Sequence, residues 1–161
     1  MRNLKRLKWS LNSLCKFLDE NYDINSGGCC LLTYLIAVNL EKLGVKYDLI
    51  IYNDRAKNLK GITREIVKME EEESIENSVI KGGTCTHYTL KIHRVGIINK
   101  EDYNPDHYFE YRINKINSNN IKWIYEKGFW NSYYDTANSI SIQNIIKSFF
   151  EQFYEESKER T

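Results

Sequence analysis

The chain predicts an α+β fold in which N-terminal helices, one of them buried and bearing cysteines, pack on an antiparallel sheet and a C-terminal helix closes the domain. Three observations predict it. Leucines recur at helical spacing from Leu4 to Leu18. An apolar stretch after Cys29-Cys30 is too uniform for a surface helix, so it belongs in the interior. From Thr84 to Ile92 polar and apolar residues alternate, which is the period of a strand.

The elements follow in order. Leu4, Leu7, Leu11, Leu14 and Leu18, widened by Trp9, Cys15 and Phe17, make an amphipathic helix from about residue 3 to Tyr22. The second helix runs from Cys29 to Leu43, with Asn25 or Ser26 as its cap and Gly44 as its left-handed stop. Lys46 to Tyr52 is rich in β-formers and Asn53-Asp54 reads as the turn that ends it. Residues 57–83 carry Ile62, Ile66 and Met69 at helical spacing and an acidic run at 70–73, to which no function is assigned. Thr84 to Ile92 and Ile97-Ile98-Asn99 form a hairpin around Gly96, with Tyr88, Leu90 and Ile92 on one face and His87, Thr89 and Lys91 on the other. Tyr108–Ile113 and Ile121–Tyr125 are read as further strands. Ile140–Tyr154 is the closing helix, with Ile142, Ile145, Ile146, Phe149 and Phe153 inward.

Composition narrows the function. At 161 residues the chain is read as one domain, 1–161, able to bury roughly two-thirds of its surface. A formal charge of +1 lacks the basic footprint of a nucleic-acid binder. Apolar runs are too short to cross a bilayer and no secretory leader is evident, so no membrane partner is expected and the location is read as cytoplasmic, or within a particle such as a phage. The cysteines at 15, 29, 30 and 85 are expected to be free thiols, since adjacent residues make poor disulfide partners.

The chemistry centres on Cys29 and His87. In the first turn of its helix Cys29 meets the dipole and free N–H groups, which are expected to favour thiolate, and Gly27-Gly28 leave room for a substrate backbone. His87 opens the hairpin. His93, at the turn, and His107, in a loop, are read as exposed side chains outside the site. Trp123 is read as an ordinary core or surface aromatic, and the segment from Trp130 to Asp135 as a wall of a substrate groove.

This order of parts resembles the papain-like cysteine hydrolase superfamily, and its transglutaminase-like branch in particular. The resemblance spans about residues 26 to 103. It rests on Gly27-Gly28-Cys29, on Leu43-Gly44-Val45 at the helix end, and on His87-Tyr88-Thr89-Leu90-Lys91-Ile92. Thr33 stands where that pattern has alanine. The resemblance selects Cys29 rather than Cys30 as nucleophile and His87 as its partner, and implies a peptidase or amidase acting on a peptide or amide, with no cofactor. A third residue would fix the imidazole. A three-residue hairpin turn puts Asn99 across from Thr89 and one diagonal step from His87, a four-residue turn puts Asp102 opposite His87, and the resemblance favours Asn99. The Cys29 N–H and the Asn25 side chain would serve a developing oxyanion.

Two other classes compete. Cys29, Cys30, Cys85 and His87 supply three sulfurs and a nitrogen, a combination known for structural zinc. A papain-like scaffold without chemistry, serving as a binding or structural protein, is the other.

Overall fold

The computed structural model describes residues 3–54, 85–127 and 136–159. Among them are four helices and a four-stranded antiparallel sheet, an α+β architecture. The sequence segment 57–83, Trp130 to Asp135 and the side chains of Cys85 and Trp123 lie outside the described residues.

Helix α1 (Leu4–Tyr22) begins where the Asn3 side chain accepts the Arg6 N–H at 3.0 Å, and it buries Leu7, Leu11, Leu14, Cys15 and Leu18. Helix α2 (Cys29–Lys42) is the hub: it packs against the sheet and against both C-terminal helices, which explains why its first half is apolar all round. It ends as expected, with Gly44 at φ 71°, the Gly44 N–H on the Glu41 carbonyl and the Val45 N–H on the Leu40 carbonyl. Its start differs from expectation. Gly28 occupies the cap position without a side-chain bond, because Asn25 is engaged with Asn99 and the Ser26 hydroxyl with Asp23.

The sheet order is β3-β2-β1-β4, formed by β1 (Tyr47–Asp54), β2 (Cys85–Ile92), β3 (Gly96–Ile97) and β4 (Tyr108–Ile113). Asn53-Asp54 does not close β1 as a turn; both residues stay in the sheet, paired with Phe109 and Tyr108. One face, with Leu49, Ile51, Tyr88, Leu90, Ile92 and Ile113, joins the helices in a continuous buried cluster. The other carries Asp48, Ile50, Tyr52, His87 and Thr89, all buried too, so the alternation marks two faces but not an exposed one. Lys91 faces Ile97 and Ile92 faces Gly96, which leaves three residues in the hairpin turn.

Residues 121–125 are helical, not a strand. They lie in α3 (Ser118–Lys127), where the Asn117 and Asn120 side chains each accept the other's backbone N–H at 3.0 Å. That reciprocal cap offsets the β preference of the Ile-Lys-Trp-Ile-Tyr run. Helix α4 (Thr136–Glu159) closes the domain, burying Ile142, Ile146, Phe150 and Phe153, with Ile145 and Phe149 half-buried at its margin.

Glu41 ties α2 to α3: its carboxylate accepts the Tyr47 hydroxyl at 2.6 Å and both the N–H and hydroxyl of Ser118 at 2.7 Å. Partial burial works against the charge, but the three donors outweigh it and hold the carboxyl below its ordinary 4.5. Its stabilising contribution is therefore present above pH 4.5 and lost as pH falls through the lower value of the folded state. We expect Glu41→Ala to cost about 1–2 kcal/mol in urea titrations at pH 7, and the deficit to shrink at about pH 3.

Candidate functional site

The site forms beside β2, just beyond the two residues that β3 pairs with it. There Tyr88 turns its backbone groups outward, and the first turns of α2 take them up. The Thr33 hydroxyl sits 3.0 Å from the Tyr88 carbonyl and 2.7 Å from that of Cys29, and the Tyr88 N–H is directed at the Cys29 sulfur. An alanine at 33 could donate to neither carbonyl, so the Thr33 hydroxyl is what fastens the cysteine turn to the strand. A bulge in β2 between the pairings of Tyr52 with His87 and Asn53 with Cys85 lies beside this junction.

His87 is the residue before Tyr88, and it is 1 % exposed. Its Nε2 lies 2.8 Å from the backbone carbonyl of Asn99. A carbonyl only accepts, so Nε2 carries the hydrogen and Nδ1, also buried, keeps the lone pair. Burial lowers the imidazole's affinity for a second proton; the Asn99 carbonyl, then the charges of Glu101 and Asp19, oppose this without reversing it.

The thiol behaves against expectation. Burial pushes the Cys29 pKa up to about 11, with the Glu101 charge adding to the rise; the N–H groups of Tyr88, Cys29 and Cys30 all favour thiolate but do not prevail. A helix terminus open to solvent would favour thiolate, whereas Cys29 is only 9 % exposed. At neutral pH Cys29 therefore rests as a thiol and His87 as a neutral imidazole.

The remaining expected residues divide. The three-residue turn brings Asn99 to His87, but through its main chain; its side chain and that of Asn25 form a reciprocal amide pair at 3.0 and 3.2 Å. Asn25 thus has its amide directed at Asn99. Asp102 is exposed. Next to it, Glu101 and Tyr103 belong to the site, although neither was expected from the sequence. The Tyr103 hydroxyl donates to Glu101 at 2.6 Å, and its ring lies 6.0 Å from that of His87 and 4.9 Å from that of Tyr52. Continuing the hairpin register from the pairing of Lys91 with Ile97 places residue 101 across from 87, the signal that could have found it.

His93 is not simply exposed: Nε2 lies 2.7 Å from the buried carboxylate of Asp48, which Arg112 approaches at 3.7 Å. His107 is not buried in its loop. Cys15, Cys29 and Cys30 are thiols, outside any disulfide. Among the described residues no three His, Cys, Asp or Glu side chains are grouped to share a metal ion, and the Cys85 side chain of the zinc reading lies outside them. Among the described residues no helix is long and apolar enough to cross a membrane. Comparisons of the chain with protein-family models, with curated proteins and with solved structures returned no match.

Proposed function

We propose that the chain is a cysteine-dependent acyl-transfer enzyme, a peptidase or amidase of papain-like, transglutaminase-like arrangement that works in a reducing, cytoplasmic setting on a peptide or amide. One observation carries this reading: the backbone N–H of Tyr88 is directed at the Cys29 sulfur, and Tyr88 follows His87, an imidazole whose Nε2–H is directed at the Asn99 carbonyl.

The steps follow from those two groups. As the Cys29 sulfur attacks the substrate carbonyl carbon, its proton passes to Nδ1 of His87. The tetrahedral oxyanion meets the N–H groups at the start of α2. Collapse breaks the C–N bond, the imidazolium proton leaves on the amine, and a thioester remains on Cys29. Attack by water with His87 as base releases the acid and restores the thiol; attack by an amine gives a new amide instead.

An activated acetyl ester tests this. The expected outcome is one acetyl group per chain on Cys29 by peptide mass mapping, none on Cys29→Ala, and acylation slowed by about 10²–10⁴ in His87→Ala. Equal acylation of wild type and His87→Ala, or acetyl groups on lysines alone, would refute the proposal. That result would favour an inert binding scaffold, the second reading, for which the raised Cys29 pKa speaks.

A further inference from the structure

We propose that Asn25 and Asn12 are positioning residues that set the tautomer and orientation of His87 by bracing the backbone of Asn99. The relevance to catalysis rests on the thiol–imidazole reading above; the geometry does not.

The group that receives the imidazole hydrogen is the main-chain oxygen of Asn99, so its direction depends on the backbone conformation there. That conformation is unusual. Asn99 has φ 49°, in the left-handed region that asparagine tolerates better than most side chains but does not prefer. Three hydrogen bonds hold it. Its N–H donates to the Asn12 side-chain oxygen on α1 at 2.9 Å. Its amide donates to Asn25 at 3.0 Å and accepts from Asn25 at 3.2 Å. Asn25 is fixed in turn, because its own N–H donates to the Asp19 carboxylate at 3.1 Å. The strand before Asn99 is secured as well, with the Ile98 N–H on the Leu90 carbonyl at 3.0 Å and the Thr89 hydroxyl on the Ile98 carbonyl.

The bracing residues lie on α1 and on the loop that leads directly into Cys29. One stretch of chain therefore presents the sulfur and also dictates which imidazole nitrogen is basic. A side chain in contact with His87 could do the same in one step; here the role is divided, with the carbonyl as acceptor and two amides as its support. Removing either amide leaves the carbonyl free to turn, and a loosened imidazole can place its hydrogen on Nδ1, the wrong nitrogen for taking a proton from a thiol.

Long-range 1H–15N correlation spectra of protein labelled at histidine nitrogens test this without substrate. In the wild type at neutral pH the expected pattern for His87 is a protonated-type Nε2 and an unprotonated-type Nδ1. In Asn25→Ala and Asn12→Ala both nitrogens are expected to move toward averaged positions, and acylation of Cys29 by an activated ester to fall about tenfold. Asn25→Asp, which keeps an acceptor for the Asn99 amide, should retain the wild-type pattern and most of the rate. Folded Asn25→Ala and Asn12→Ala variants with an unmoved tautomer overturn the proposal, as does a wild type with its hydrogen on Nδ1. Should Asn25→Ala fail to fold, Asn12→Ala and Asn25→Asp decide. A protein that shows the expected tautomers yet acylates nothing loses the enzyme reading and keeps this one; acylation with unmoved tautomers does the reverse.

Discussion

Phe150→Ala is expected to destabilise the protein by about 3–5 kcal/mol, a large part of the roughly 5–15 kcal/mol typical of a domain. Phe150 is fully buried, and its ring meets that of Phe149 edge-on at 5.1 Å. It belongs to the same buried cluster as Leu7, Leu11, Ile36, Leu40 and Ile146. Deleting the ring therefore opens a cavity within a core to which α1, α2 and α4 all contribute. The exposed margin of α4 offers little to compensate. Arg6 pairs with Glu156 at 2.9 Å and sits 5.9 Å from the centre of the Phe153 ring, but that ion pair is exposed and contributes on the order of 0.5 kcal/mol. Urea titration followed by far-ultraviolet circular dichroism measures the loss, and Phe150→Leu should recover more than half of it. A shift of less than about 1 kcal/mol for Phe150→Ala would mean that α4 is not part of the cooperative core.

What could be read from residues alone was whatever depends on local pattern. The uniform apolarity of the stretch after Cys29 foretold the buried hub helix, and the alternation from Tyr88 to Ile92 foretold a strand and its core face. Patterns with two physical solutions were not decided. The turn between Ile92 and Gly96 could hold three or four residues; the three-residue form uses Arg94 at φ 75° and Gly96 at φ 114°, a geometry no composition rule demands of arginine. The run after Asn120 looked like a strand because its side chains prefer one, and only the Asn117–Asn120 cap, a signal of two residues, spoke for a helix. Contacts between distant segments were out of reach altogether. Asn25 before a helix reads as a cap, yet its partner is 74 positions away. Thr33 read as a departure from a pattern and is the bond between helix and strand. The same blindness explains the thiol: the helix terminus is visible in the sequence and favours thiolate, while the burial that overrides it is a property of the assembled fold.

That burial makes the thiols one source of an alkaline limit, beside the hydroxyls of Tyr47, Tyr52 and Tyr103, whose pKa burial also raises. Burial raises Cys15 to about 12, with the Asp19 charge adding to it, and Cys29 to about 11, both from an ordinary 9.0. The folded state therefore holds these protons more tightly than the unfolded chain does. Their contribution is complete below pH 9 and is lost as pH rises through 11 to 12. Together it amounts to roughly several kcal/mol, a substantial part of an ordinary domain's stability. Stability measured against urea should be flat from about pH 7 to 9 and then fall, and Cys15→Ala should flatten the fall although it costs some packing at neutral pH. Reactivity should follow a different curve. With the thiol at about 11, free thiolate at neutral pH is about a hundredfold scarcer than for an ordinary cysteine, so a preformed ion pair is a poor description of the resting site. If His87 takes the proton only as the sulfur attacks, the acylation rate rises with the deprotonation of His87, which burial moves below 6.5, and levels off through neutral pH. His87→Ala should remove that plateau and leave only the climb toward pH 11. A wild-type profile that climbs through neutrality with no plateau would show that Cys29 reacts as a lone buried thiol, and that His87 takes no part.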